Sequence, residues 1–199
     1  LSLAVMFGAA FGNIIRGVPL YENGYFFEAL WTTFDVGKDT GILDWYTVMM
    51  AMVSVITLLA HGANYIAMKT DGELQERIRT ISKRSNYFVI VNSLLLFTAT
   101  TYVRPEMWDN FTKHYWGFIF PLIGIAAMIG MMHYRRINKD AKAFISSAVF
   151  IFGMMSGTAF GLYPNMLPST IDPKYSLTVQ NTKAGEYGLN IGAIWWVIG

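Results

Sequence analysis

The sequence has no cysteine, which excludes a disulfide framework, a thiolate-bound zinc site and a thiol nucleophile. Charge is scarce. Asp, Glu, Lys and Arg make up 14% of the 199 residues, against about 25% in an ordinary soluble domain. None of the 13 acidic residues falls well inside an apolar run. Phosphate-cradling glycine loops, paired catalytic carboxylates and nucleophile elbows are missing. The formal net charge of +2 is too small to suggest a nucleic-acid partner, and no basic block carries interleaved stacking aromatics, so none is expected.

What the chain has is apolar length. Hydrophobic residues are 54% of it, and they come in long runs. Roughly 20 mostly apolar residues cross a bilayer as a helix. Complete spans are expected at 45–68, 86–103, 116–134 and 143–163. Two partial spans are expected at the ends, 1–15 and 187–199. The chain starts at Leu1 inside one apolar run and stops at Gly199 inside another, with neither a basic start nor a small-residue cleavage site. The expectation is therefore an all-α, polytopic transmembrane bundle. It has four complete spans and two partial terminal ones, and forms a single membrane domain over residues 1–199 that is itself a fragment of a longer subunit.

Charge distribution gives the bundle a direction. The connections 69–85 and 135–142 together hold 9 of the 15 Lys and Arg. They are the second and fourth connections, so they must share a side, and basic connections collect in the cytoplasm. Trp31, Trp45, Trp108 and Trp116 then fall at the outer boundary, where amphipathic rings favour headgroups; the alternative is ordinary core tryptophans.

The connections carry local signals too. Thr70 and Glu73 fit a capping box, and Glu73 with Arg77 is an i,i+4 pair, so a short surface helix is expected in 69–85. It either meets anionic lipid through its basic face or is a solvated charged turn. The segment 21–44 mixes Tyr25, Phe26, Phe27, Trp31 and Phe34 with Glu22, Glu28, Asp35 and Asp39. A short interfacial helix broken near Gly37 is expected there. Pro164, Pro168 and Pro173 make 164–185 an ordered non-helical loop.

Polar groups inside spans are functional candidates because burying them is costly. His61 is the clearest, followed by Gly62, Asn64 and Tyr65. It either relays protons or binds a cofactor, or it is a neutral imidazole hydrogen-bonded to a neighbouring helix. One histidine without a second ligand is poor support for haem or metal. His133 lies within a turn of its helix's basic end, and His114 in an outer loop. Asn92, Ser93, Thr98, Thr100 and Thr101 are expected to glue helices together. Gly8 with Gly12, Gly188 with Gly192, and the run Gly153, Gly157, Gly161 are four-residue spacings that favour close helix packing of any function.

Three strings go further. The first is Gly12-Asn13-Ile14-Ile15-Arg16-Gly17-Val18-Pro19. The second is His61-Gly62-Ala63-Asn64-Tyr65, then Lys69-Thr70-Asp71-Gly72-Glu73-Leu74 and Arg77. The third runs Gly161-Leu162-Tyr163-Pro164-Asn165-Met166-Leu167-Pro168-Ser169-Thr170, through Tyr175-Ser176-Leu177-Thr178, to Asn181-Thr182. In order and spacing they resemble subunit II of the cytochrome bd-type quinol oxidases, including the cyanide-insensitive branch.

The resemblance implies a subunit of a bacterial or archaeal cytoplasmic-membrane complex. That complex oxidises membrane quinol, reduces O2 to water and generates proton-motive force by taking up cytoplasmic protons. It implies a heterodimer with subunit I, which holds haems b558, b595 and d and the quinol site. No cofactor is then expected on this chain. The family's Asp- and Trp-rich motifs for a proposed proton path lie upstream of this window, so no catalytic, cofactor-binding or metal residue is carried over. Asn165, Ser169, Thr170, Ser176 and Thr178 are expected to satisfy backbone groups in the outer loop. That loop and the Gly153/Gly157/Gly161 face are expected to hold the last two helices together or to brace subunit I. The competing readings are one repeat of a secondary transporter and a purely structural membrane scaffold. Pro121 lies near the outer end of its run, not at mid-span where transporter helices break, which weakens the transporter.

Overall fold

A computed structural model describes residues 1–37 and 40–198; Lys38, Asp39 and Gly199 lie outside the described residues. Seven α-helices dominate: α1 Ser2–Arg16, α2 Trp45–Lys69, α3 Gly72–Val103, α4 Met107–Lys113, α5 Ile119–Arg136, α6 Asp140–Leu162 and α7 Glu186–Ile198. Four units are long and apolar enough to cross a membrane: α2, α3, α6, and α5 with the 3₁₀ turn Tyr115–Phe118 that leads into it. These are the four expected spans. The apolar ends of the chain form α1 and α7.

The core has two storeys. Ile15, Tyr46, Met50, Val53, Leu96 and Leu162 pack at the end where α2 begins. Ala60, Val89, Ala127, Met131 and Phe150 pack nearer the other end. Around them, many large apolar side chains of the spans face outward, including Leu58, Phe88, Leu94, Leu122, Ile129 and Phe152. Outward apolar side chains of this density suit a lipid or protein surround, not water.

Glycine sets the closest approaches. A Cβ at Gly8 would lie 2.7 Å from both Ala51 Cα and Ser54 Cβ, so α1 lies backbone-close on α2. At Gly153 it would lie 2.8 Å from Gly124 N, which seats α6 on α5. At Gly161 it would meet Met107 Cε of α4 at 2.7 Å. The Gly153/Gly157/Gly161 face is thus filled by α5 and α4 and does not join α6 to α7. Gly188 and Gly192 pack on no neighbouring element among the described residues.

Several local expectations change. The connection 69–85 is no loop: the chain turns at Thr70 and Asp71, and α3 runs unbroken from Gly72. No proline or interior glycine interrupts 73–103, so the charged stretch extends the span as one helix. The capping box at Thr70 does not form. Thr70 ends α2, its hydroxyl donating to Ile66 O at 2.8 Å, and Asp71 precedes α3 without a side-chain cap. The turn instead uses Gly72 at φ +65°, a conformation that L side chains rarely adopt. The Glu73–Arg77 pair forms at 2.5 Å. The connection 135–142 shrinks to a tight turn with Asn138 at φ +53°.

The interfacial helix in 21–44 is absent among the described residues; that segment is irregular. An unforeseen helix, α4, follows α3 in the next connection and packs on α6. The loop 164–185 is ordered and non-helical but for a 3₁₀ turn at Pro173–Tyr175. Its strands β1 Asn165–Leu167 and β2 Leu177–Thr178 pair antiparallel, Asn165 opposite Thr178 and Leu167 opposite Leu177.

Candidate functional site

The chain's chemistry gathers in two buried polar networks at opposite ends of the bundle. We call them the outer clamp and the inner junction.

The outer clamp centres on Arg16, the last residue of α1 and 2% exposed. A guanidinium has five N–H donors. Here each has an acceptor. Nε donates to Gly17 O at 3.1 Å. Nη1 donates to Gly41 O at 3.0 Å and to Asp44 Oδ2. Nη2 donates to Asn13 Oδ1 at 2.6 Å and to Glu28 Oε1 at 2.6 Å. Asp44 is fully buried and also caps α2: its side chain accepts from Thr47 N at 2.8 Å, while Asp44 N donates to Thr47 Oγ1 at 2.9 Å. Asn13 Nδ2 donates to Ile42 O at 3.0 Å, pinning the same segment. The cluster pairs one cation with two carboxylates. Burial pushes the Glu28 carboxyl above its ordinary range; Arg16 pulls it back, and the nearby Asp44 charge raises it again.

The outer loop is tied to this clamp. Val18 N donates to Pro168 O at 3.0 Å, and Thr170 N to Val18 O at 3.0 Å. Ser169 Oγ donates to Leu20 O at 2.9 Å and accepts from Ile171 N at 3.1 Å. Ser176 Oγ accepts from Ser169 N at 2.9 Å, and Thr178 Oγ1 from Asn181 N at 3.2 Å. Ser169, Ser176 and Thr178 therefore satisfy backbone groups as expected. The Thr170 hydroxyl has no partner among the described residues.

The inner junction joins the two charged turns. Asp140, at the start of α6, receives Arg79 of α3 at 2.5 Å and Arg135 of α5. Arg135 Nη2 donates to Asn64 Oδ1 of α2 at 2.9 Å. Ser82 Oγ donates to the same oxygen at 2.6 Å, and Asn64 Nδ2 donates to Asn86 Oδ1 at 3.1 Å. All four spans meet here. These contacts put the turns around 70 and 138 at one end of the bundle, as the charge pattern required. Trp45, Trp108 and Trp116 lie at the opposite end, at the starts of α2, α4 and α5, and Trp31 bridges to Leu43 beside Asp44.

His61 sits apart from both networks. Ser147 Oγ donates its single hydrogen to Phe144 O at 2.7 Å, so the 2.7 Å contact to His61 Nδ1 has the imidazole as donor. The ring stacks on Phe144 at 4.8 Å between centroids. This is the hydrogen bond to a neighbouring helix named as one of its two readings. His133 and His114 are exposed and lie elsewhere. No cluster of three His, Asp or Glu arranged for a metal occurs among the described residues.

The helix-glue expectation holds in part. Thr100 receives a 2.8 Å hydrogen bond from the buried Tyr46 hydroxyl, and Ser93 is buried. Asn92, Thr98 and Thr101 bond carbonyls of their own helix. Arg135 reads from the sequence as a connection charge and Arg16 as part of a motif string, yet both are buried. The signal that marked Arg16 was Asn13 one turn before it; for Arg135 it was Asn64 and Asn86, polar residues on span faces that otherwise bury apolar groups.

The family model for cytochrome bd terminal oxidase subunit II matches residues 1–199. The Haemophilus influenzae protein "Probable cytochrome oxidase subunit 2" is 26% identical over 98% of this chain and 57% of its own length. The Bacillus subtilis "Cytochrome bd ubiquinol oxidase subunit 2" is 26% identical over 92% of this chain and 55% of its own length. The Escherichia coli K12 "Cytochrome bd-I ubiquinol oxidase subunit 2" is 22% identical over 94% and 55%. The chain thus spans somewhat more than half the length of these relatives.

Proposed function

The chain belongs to the cytochrome bd terminal oxidase subunit II family, and on that premise we propose that it is part of the non-haem subunit of a membrane complex that oxidises quinol and reduces O2 to water. The match along all 199 residues carries this reading and displaces the transporter slice. The partner is subunit I, which holds haems b558, b595 and d and the quinol site. The complex sits in a bacterial or archaeal cytoplasmic membrane, with the Arg135–Asp140 end in the cytoplasm, and contributes to proton-motive force.

The contribution of this region is mechanical. Its two networks tie helix to helix and commit their charged groups to one another, and its apolar side chains face outward for lipid and for subunit I. None of its residues is assigned a catalytic, cofactor-binding or metal role. The test is a reduced-minus-oxidised spectrum of the full-length protein purified from its native membrane. Co-purifying b- and d-type haem bands are expected; a colourless protein without a partner overturns the reading.

A further inference from the structure

We infer that the inner junction holds buried water, which accepts hydrogen bonds from Arg135 Nε and Asn86 Nδ2. The argument starts from Asn64. Its Oδ1 accepts from both Ser82 Oγ and Arg135 Nη2, which fixes the amide orientation. Its Nδ2 must then donate to Asn86, and the accepting atom must be Asn86 Oδ1. Asn86 Nδ2 therefore points away from Asn64. Flipping the Asn86 amide would set two N–H groups face to face, so no reassignment removes the orphan.

Asn86 is 1% exposed and Arg135 4% exposed, and neither Asn86 Nδ2 nor Arg135 Nε has an acceptor among the described residues. Both donors are one side chain away from Asn64, between α2, α3 and α5. Buried donors are almost always paired, with protein or with ordered water. The two atoms are sealed by their own chain, so a side chain of a partner or a lipid headgroup cannot reach them without rearrangement. Water is the acceptor small enough to enter between the helices and pair such donors.

The charged groups around the site are Arg135, Arg79 and Asp140. Both guanidiniums are committed to Asp140. The water is structural: it completes a polar joint among helices.

The experiment is single-particle microscopy of the full-length oxidase complex, at a resolution where waters are resolved elsewhere in it. The expected result is a water peak about 3 Å from each of Asn86 Nδ2 and Arg135 Nε, shared or separate. In an Asn86→Leu complex the peak at residue 86 disappears while the α3 backbone stays in place. The wild-type map decides the question even if that variant does not assemble. A protein acceptor on both donors, an empty site, or a peak that strengthens when bromide replaces chloride would each overturn the inference.

Discussion

The outer clamp and the inner junction use the same chemistry in opposite proportions. The clamp sets one guanidinium against two carboxylates and fills all five donors. The junction sets two guanidiniums against one inward carboxylate, Asp140, with Arg79 also reaching the exposed Glu76, and leaves donors over. The difference follows from what each must hold. The clamp anchors 21–44, whose described residues form no helix to satisfy their backbone, so Arg16 binds its carbonyls and carboxylates together. The junction joins helices that already satisfy their own backbones and are connected by tight turns. Its polar groups set how the helices are seated against one another, and it tolerates a donor that only water completes.

The sharpest way to break the comparison is Arg16→Met. It leaves Asp44 and Glu28 buried without a cation, a loss of about 3–5 kcal/mol. Thermal inactivation of the assembled complex should fall by many degrees, or assembly should fail. Arg16→Lys is expected to rescue little, since an ammonium cannot reproduce the five-donor fork.

Helix seating comes next. Gly153→Leu drives side-chain atoms into the α5 backbone, where a Cβ alone would be 2.8 Å from Gly124 N. Overpacking of this kind costs about 1–3 kcal/mol or more. Gly157→Leu should be milder, because a Cβ there would meet Phe120 Cβ at an ordinary 3.6 Å. Haem content per milligram of purified complex ranks the two, and the reverse order would refute the packing assignment.

Arg135→Met tests the junction directly. Asp140 keeps Arg79, so the expected loss is about 1–3 kcal/mol, smaller than for Arg16. Equal losses at the two ends would erase the distinction between them.

Glu28→Gln sharpens the electrostatic half. A carboxyl whose folded pKa is raised binds more protons folded than unfolded at pH above the ordinary carboxylate value. Its contribution to stability therefore falls as pH rises through that window. The glutamine should keep the bond from Arg16 and flatten the pH dependence of thermal inactivation. A slope unchanged from wild type would show that Glu28 is not the titrating group. The smallest effect is expected at Ser147→Ala, which removes one hydrogen bond from His61, worth about 1 kcal/mol.

Legibility in the sequence tracked the range of the interactions. The four spans were readable because membrane helices are set by local apolar length. The shared side of the two basic connections was readable because alternation leaves no choice. The outer loop's serines were readable from Pro-bounded turn chemistry. The unbroken α3 was not legible because charge lowers hydropathy without breaking a helix, and no proline or glycine interrupts 73–103. The absent 21–44 helix was missed because aromatics and acids in alternation satisfy composition without satisfying a fold; its backbone is held instead by Arg16, from another element.

Short stretches and their order are enough to give a polytopic helical bundle, the shared end of its basic turns and its family. Which charges are buried depends on tertiary packing. Arg16 and Lys69 both end apolar helices, yet one is sealed among five acceptors and the other is exposed. The physical reason is that burying an ion is tolerable only where enough partners converge on it. Glu28, Gly41 and Asp44 lie 12 to 28 residues from Arg16 along the chain. Folding alone brings them within reach.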